Sequence, residues 1–177
     1  MRRLATLCLP LIALAAPAAA LAFASAAGDG TLVVQNGSAP RGVAVVTLVI
    51  DGAAIGHVST GSPDQLDTVV IDDVNNTNNI GASVTNGAPS LTRKTVSDTE
   101  TKFTGSDFRF RAAGGLYKIW IYGSGVDLFA VGQGKVTLQG TPGAGTSDGQ
   151  YSFNGTPFRS LPPVPSDWLP VKAAASG

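Results

Sequence analysis

The stretch Ser106-Asp107-Phe108-Arg109-Phe110-Arg111-Ala112-Ala113-Gly114-Gly115-Leu116-Tyr117-Lys118-Ile119-Trp120-Ile121-Tyr122 decides the fold. Apolar and polar side chains alternate on either side of a glycine pair. That beat of two belongs to a β-strand with one buried face. Taken as a two-residue turn, Gly114-Gly115 sets Phe110 opposite Ile119, Phe108 opposite Ile121 and Ala112 opposite Tyr117 on an apolar face. The other face then pairs Arg111 with Lys118, Arg109 with Trp120 and Asp107 with Tyr122. Widening the turn by two residues changes the partners but leaves each side chain on its face.

Working outward, a turn at Tyr122-Gly123 brings Lys118 opposite Asp127, and one at Gln133-Gly134 sets Val131 beside Val136. The region 103–139 reads as a four-stranded meander. Asp51-Gly52 is a type I′ turn signal that pairs Leu48 with Ile55 and Val46 with His57. Shifted by 71 residues, this first hairpin overlays the second. The overlay admits an internal repeat, although any two hairpins with glycine turns align in this way. Strands are expected near 31–36, 43–50, 54–59, 67–72, 80–85, 103–112, 116–122, 125–131, 135–139 and 150–153. No convincing 3.6-residue apolar period appears after the first 26 residues. The fold class is therefore all-β: an antiparallel sandwich or flattened barrel built from two meander halves. An Asx-rich loop at 72–79, a glycine-rich loop at 140–149 and a proline-rich tail at 161–177 lie outside the scheme. The tail, with Pro162, Pro163, Pro165 and Pro170, is expected to be extended or disordered, with Trp168 as an anchor.

The first 26 residues have the parts of a secretory signal. Met1-Arg2-Arg3 precedes an Ala/Leu-rich stretch, and Ala24-Ser25-Ala26 supplies the small side chains that signal peptidase needs, with Ala22-Phe23-Ala24 as the alternative site. A retained anchor is the rival, disfavoured by Pro10 and Pro17. Cleavage after Ala26 leaves one domain at 27–160 and the tail. The only cysteine, Cys8, goes with the signal, so packing alone must hold the exported domain. Without Arg2 and Arg3 the chain has ten basic and twelve acidic residues, a balance that argues against nucleic acid as a partner. No membrane association is expected once the signal is removed. The expected location is extracellular.

Several phrases carry a resemblance. Gly30-Thr31-Leu32-Val33-Val34, Ile71-Asp72-Asp73, Phe108-Arg109-Phe110-Arg111 with Gly114-Gly115, and Gly123-Ser124-Gly125-Val126-Asp127-Leu128 through Gly132-Gln133-Gly134 resemble small exported β-domain proteins of high-GC actinobacteria. The resemblance implies export and an all-β fold, and nothing about chemistry.

The residues that could do chemistry are few. His57 is the only histidine, and no Gly-x-Ser-x-Gly elbow accompanies it. The hairpin register sets it on the face of Val46, Leu48 and Ile55, as a half-buried strand residue. One histidine without an exported cysteine cannot build a zinc site. Asp72, Asp73 and Asn75, with Asn76 and Asn78, offer oxygens for calcium, but the EF-hand pattern fails and such residues also populate plain turns. Glu100 is the only glutamate and sits in a polar run, so a glycosidase carboxylate pair has no clear members. No catalytic residue and no cofactor is assigned. The candidate binding surface is the wet face of the second meander: Arg109, Arg111, Lys118, Trp120 and Tyr122. Aromatics among polar groups suit sugar rings or peptides. Self-satisfaction is the competing account, with Arg109 stacked on Trp120 and Lys118 paired with Asp127.

The expectation is an exported, non-enzymatic interaction or structural module of the cell envelope or extracellular space. A cell-wall glycan or another envelope protein would be its partner. A barrel carrying a small apolar ligand and a hydrolase on a β scaffold are the rivals.

Overall fold

A computed structural model describes residues 29–59, 66–75, 82–86 and 91–168. The expected signal, residues 60–65, Asn76 and Asn78 lie outside them. Eleven antiparallel strands carry the fold: β1 (Gly30–Gly37), β2 (Ala44–Ser59), β3 (Asp67–Asp73), β4 (Ala82–Asn86), β5 (Thr92–Thr95), β6 (Glu100–Gly105), β7 (Asp107–Tyr122), β8 (Val126–Leu138), β9 (Gln150–Phe153), β10 (Arg159–Ser160) and β11 (Ser166–Trp168). The one helical turn among the described residues is a 3-10 turn at Gly145–Asp148.

The strand order β10-β9-β1-β8-β2-β7-β3-β6-β5 puts β2 between β7 and β8 along its whole length. On its far side β7 meets β4 with its first half and β3 with its second. In the same way β8 meets β1 and then β11, which lie end to end along one side of it.

This order forces the three long strands to fold back on themselves. Tyr122, at the end of β7, pairs with Ala44, and Val126, at the start of β8, pairs with Val58. Only Gly123-Ser124-Gly125 joins them, a span of about 14 Å at most. A straight β2 would separate Ala44 from Val58 by about 46 Å. The two halves of β2 therefore belong to two facing layers, and the inward residues of both form one buried cluster. Strands that pass between layers through bulges make the corners of such sandwiches.

The corner is a line of glycines. Gly52 on β2 lies opposite Gly115 on β7 and Gly132 on β8, and Ile50 lies opposite Gly134. Gly52 has φ of 158°, and a methyl group there would collide with the Val131 carbonyl and the Gly132 backbone. Gly134 is held as closely against Val49. Only glycine allows backbones to approach so near.

Three expected turns are thus corrected. Asp51-Gly52, Gly114-Gly115 and Gln133-Gly134 are points within β2, β7 and β8, and the hairpins and the repeat built on them are absent. The face assignment in β7 survives for a physical reason. Gly114, with φ of 73°, is an extra residue between the pairs Gly52–Gly115 and Ala53–Ala113. A one-residue bulge and a two-residue turn both exchange odd for even positions. Phe108, Phe110 and Ala112 therefore point inward with Tyr117, Ile119 and Ile121, as expected. In β2 no such exchange occurs, so His57 and Ile55 face outward while Val46 and Leu48 face the core. The tail is more ordered than its prolines implied. Leu161 is buried, and β11 pairs with β8 through Ser166–Leu138 and Asp167–Thr137. Strands β5 and β10 were not foreseen.

Candidate functional site

The five residues of the expected surface do lie on the outward side of β7, but the bend at Gly114 divides them between two layers. Arg109 and Arg111 belong to one layer. Lys118, Trp120 and Tyr122 belong to the other.

Arg109 lines an open groove of about 790 Å³ across β1, β8, β2 and β7, and Arg111 lies outside its lining, in register with Ile55. Two rows of outward side chains build it. Val33, Phe129 and Ile55 follow one another across three strands. Asp127, His57 and Arg109 form the next row, about 7 Å along the strands. Asn36 closes one end. It adopts a left-handed conformation (φ 52°) in a bulge of β1, which turns its N–H to donate to Asp127 Oδ1 at 2.9 Å. At the other end His57 Nε2 donates to Asp107 Oδ1 at 2.7 Å, with the imidazole about one-third exposed. The groove therefore has an apolar floor (Val33, Ile55, Phe129) and a wall of opposite charges and amides.

The two self-satisfying pairs expected on β7 are not made. Arg109 neighbours His57 in register, whereas Trp120 neighbours Thr47 and Val70 in the other layer. Lys118 Nζ lies 3.8 Å from Asp72 Oδ2, not from Asp127. The calcium candidates separate as well. Asp72 faces outward to Lys118, while Asp73 is buried on the opposite side of β3, in register with Tyr117. Alternation in a strand keeps adjacent carboxylates apart, and no group of three metal-ligating side chains occurs among the described residues.

The second group lies on the outer side of β6, β3, β7 and β2. Lys102, Val70, Trp120 and Thr47 form one row, with Thr104, Thr68 and Tyr122 in the next. A smaller groove of about 370 Å³ runs here, lined by Arg41, Leu66, Thr68, Val70, Lys102 and Tyr122.

One group the sequence did not single out is Asp67. It is fully buried at the start of β3, where its Oδ1 accepts the Ser124 N–H of the β7–β8 joint at 3.2 Å while Oδ2 has no partner among the described residues. Burial pushes its carboxyl up to about 7, against the lowering effect of the Ser124 N–H. Burial, and then the charge of Asp73, raise the Tyr117 hydroxyl.

Phe129, Val33, Asn36 and Arg41 were also missed. An outward signal was present for two of them: Val33 and Phe129 are large apolar residues at positions where their strands should show polar ones. Their convergence needed the strand order. No protein-family model, curated protein or solved structure matches this chain.

Proposed function

We propose that the chain is an exported, non-enzymatic interaction module that holds an extracellular or cell-envelope partner in the groove between β1 and β7. The observation that carries this reading is the pairing of an outward apolar floor, Val33–Phe129–Ile55, with the polar wall Asp127–His57–Arg109. Outward residues of a two-layer β fold are ordinarily polar, and an apolar strip with fixed hydrogen-bonding groups beside it is how binding clefts are made. Leu32, Leu48, Phe108, Phe110 and Tyr117 are packed to near-zero exposure between the layers, so the carrier reading is confined to a cavity of about 500 Å³ beside β6, lined by Ile71, Val84, Leu91, Arg93, Thr101 and Phe103.

A screen of the purified protein against wall fragments, glycans and envelope proteins tests the proposal. Phe129→Ala and Arg109→Ala should each weaken the partner found by about tenfold while circular dichroism stays unchanged. A partner bound equally by wild type and both variants would refute the groove as the site.

The His57–Asp107 hydrogen bond favours a second reading, because a carboxylate-oriented imidazole is half of a hydrolase centre. No hydroxyl among the described residues bonds His57. If activity toward an ester or peptide is found and His57→Ala abolishes it, this reading replaces the first.

A further inference from the structure

The outer side of the second layer groups cations that the fold does not require, one outward position from the acidic pair Asp72–Glu100. Lys94 on the edge strand β5 lies directly opposite Lys102 on β6. Like charges in that relation repel, and a sheet gains nothing from placing them there. A lysine on an edge strand guards against strand pairing, which accounts for Lys94 but not for Lys102. Arg41, from the β1–β2 connection, lines the same small groove as Lys102. All three side chains are exposed, and none has an ion-pair partner among the described residues. Among the described residues, no acidic side chain lines that groove.

The cations continue into aromatics. Lys94, Lys102, Val70 and Trp120 follow one another across β5, β6, β3 and β7, a run of about 14 Å at the usual strand spacing. Tyr122 lies one outward position further along, about 7 Å from Trp120. Both rings are half-buried on this outer side.

We propose that this face, with Arg41, Lys94, Lys102, Trp120 and Tyr122, is a second binding surface whose ligand is an acidic polysaccharide of the polyuronate type. Sugar rings stack on Trp120 and Tyr122, and carboxylates borne by successive rings meet the three cations. This surface is separate from the groove around His57 and does not depend on it. Two other polyanions fit less well. The chain has twelve basic and twelve acidic residues, so it lacks the overall positive field on which nucleic-acid binding rests. A lipid surface would need several protruding apolar side chains, and Leu66 is the one exposed large apolar residue that lines this groove.

Calorimetric titration of the purified full chain with hexagalacturonate at low salt tests the proposal. Binding is expected, with affinity falling as salt rises and with a change in Trp120 fluorescence, read in a Trp168→Phe background. Lys102→Gln and Arg41→Gln should each weaken it by about fivefold. The methyl ester of the same oligosaccharide should bind at least tenfold more weakly. Arg159→Gln, exposed on β10 and outside both grooves, should bind as wild type does. Because Lys102 and Arg41 are exposed, their replacement leaves the fold intact. The proposal is overturned by equal binding of the methyl ester, by equal binding of poly-glutamate, by wild-type affinity in Lys102→Gln, or by a chain that ignores hexagalacturonate, whether or not it binds single-stranded DNA or phosphatidylglycerol vesicles.

Discussion

The two halves of β7 follow one sequence rule and reach different ends. Residues 107–112 and 117–122 both alternate, and both bury their larger apolar side chains. Outside, the first half sets Asp107, Arg109 and Arg111 beside His57, Asp127 and Phe129, where charges of both signs interleave over an apolar floor. The second half sets Trp120 and Tyr122 beside cations that have no ion-pair partner among the described residues, with Lys118 answered by Asp72. Alternation fixes which side of a strand a residue takes. It does not fix which layer, and five residues on one side of one strand are not one site when a bulge lies between them.

The comparison is broken most completely at the bend. Gly52→Val meets the Val131 carbonyl and the Gly132 backbone and forces φ out of its native value. We expect a loss of more than about 4 kcal/mol, and so an unfolded or aggregated chain in which both outer faces vanish together. Urea denaturation measures it; survival of one face without the other would show that the layers fold independently.

A smaller effect is expected at Asp67, beneath the joint that carries the chain from the second half of β7 into β8. Its folded value of about 7 lies above its ordinary 3.8, so between those values the folded state holds the extra proton. The stability linked to it is complete below about pH 4 and is lost as pH rises through about 7. Asp67→Asn removes that slope. The variant should be more stable than wild type at pH 8 by about 3 kcal/mol, with the advantage gone at pH 4. Parallel slopes for both proteins in denaturation at the two pH values would refute the assignment.

The smallest effect sharpens the contrast between the faces. Lys118→Gln removes a half-exposed ion pair and should cost no more than about 1 kcal/mol. Thermal melts should detect little change, and chemical-shift changes should be confined to its neighbours on the Trp120 face, with those of the His57 groove unmoved.

What could be read from the residues alone was the local part. The period of two in 106–122 gave the buried set Phe108, Phe110, Tyr117, Ile119 and Ile121, and the outward set with them. The bend was hidden because Asp51-Gly52 carries the chemistry of a hairpin turn, and a glycine that permits close approach looks the same as one that reverses the chain. A hint was available in the spacing. Gly52, Gly114 and Gly132 each fall near the middle of an unbroken β-prone run. Three separate hairpins need no such agreement, whereas a crease across three neighbouring strands requires it. The groove was less legible, since Val33, Phe129, Ile55 and His57 come from three strands whose adjacency, with β2 between β7 and β8, no local pattern encodes.

The end-to-end arrangement of β1 and β11 has a mechanical consequence. Gly30 meets β8 at Gly132 and Trp168 meets it at Val136, so the first and last strands begin and finish about 13 Å apart. Tension applied through the two ends would enter and leave at almost the same spot. It would peel short flanking strands from β8 one bond at a time, and the long central ribbons would carry no load.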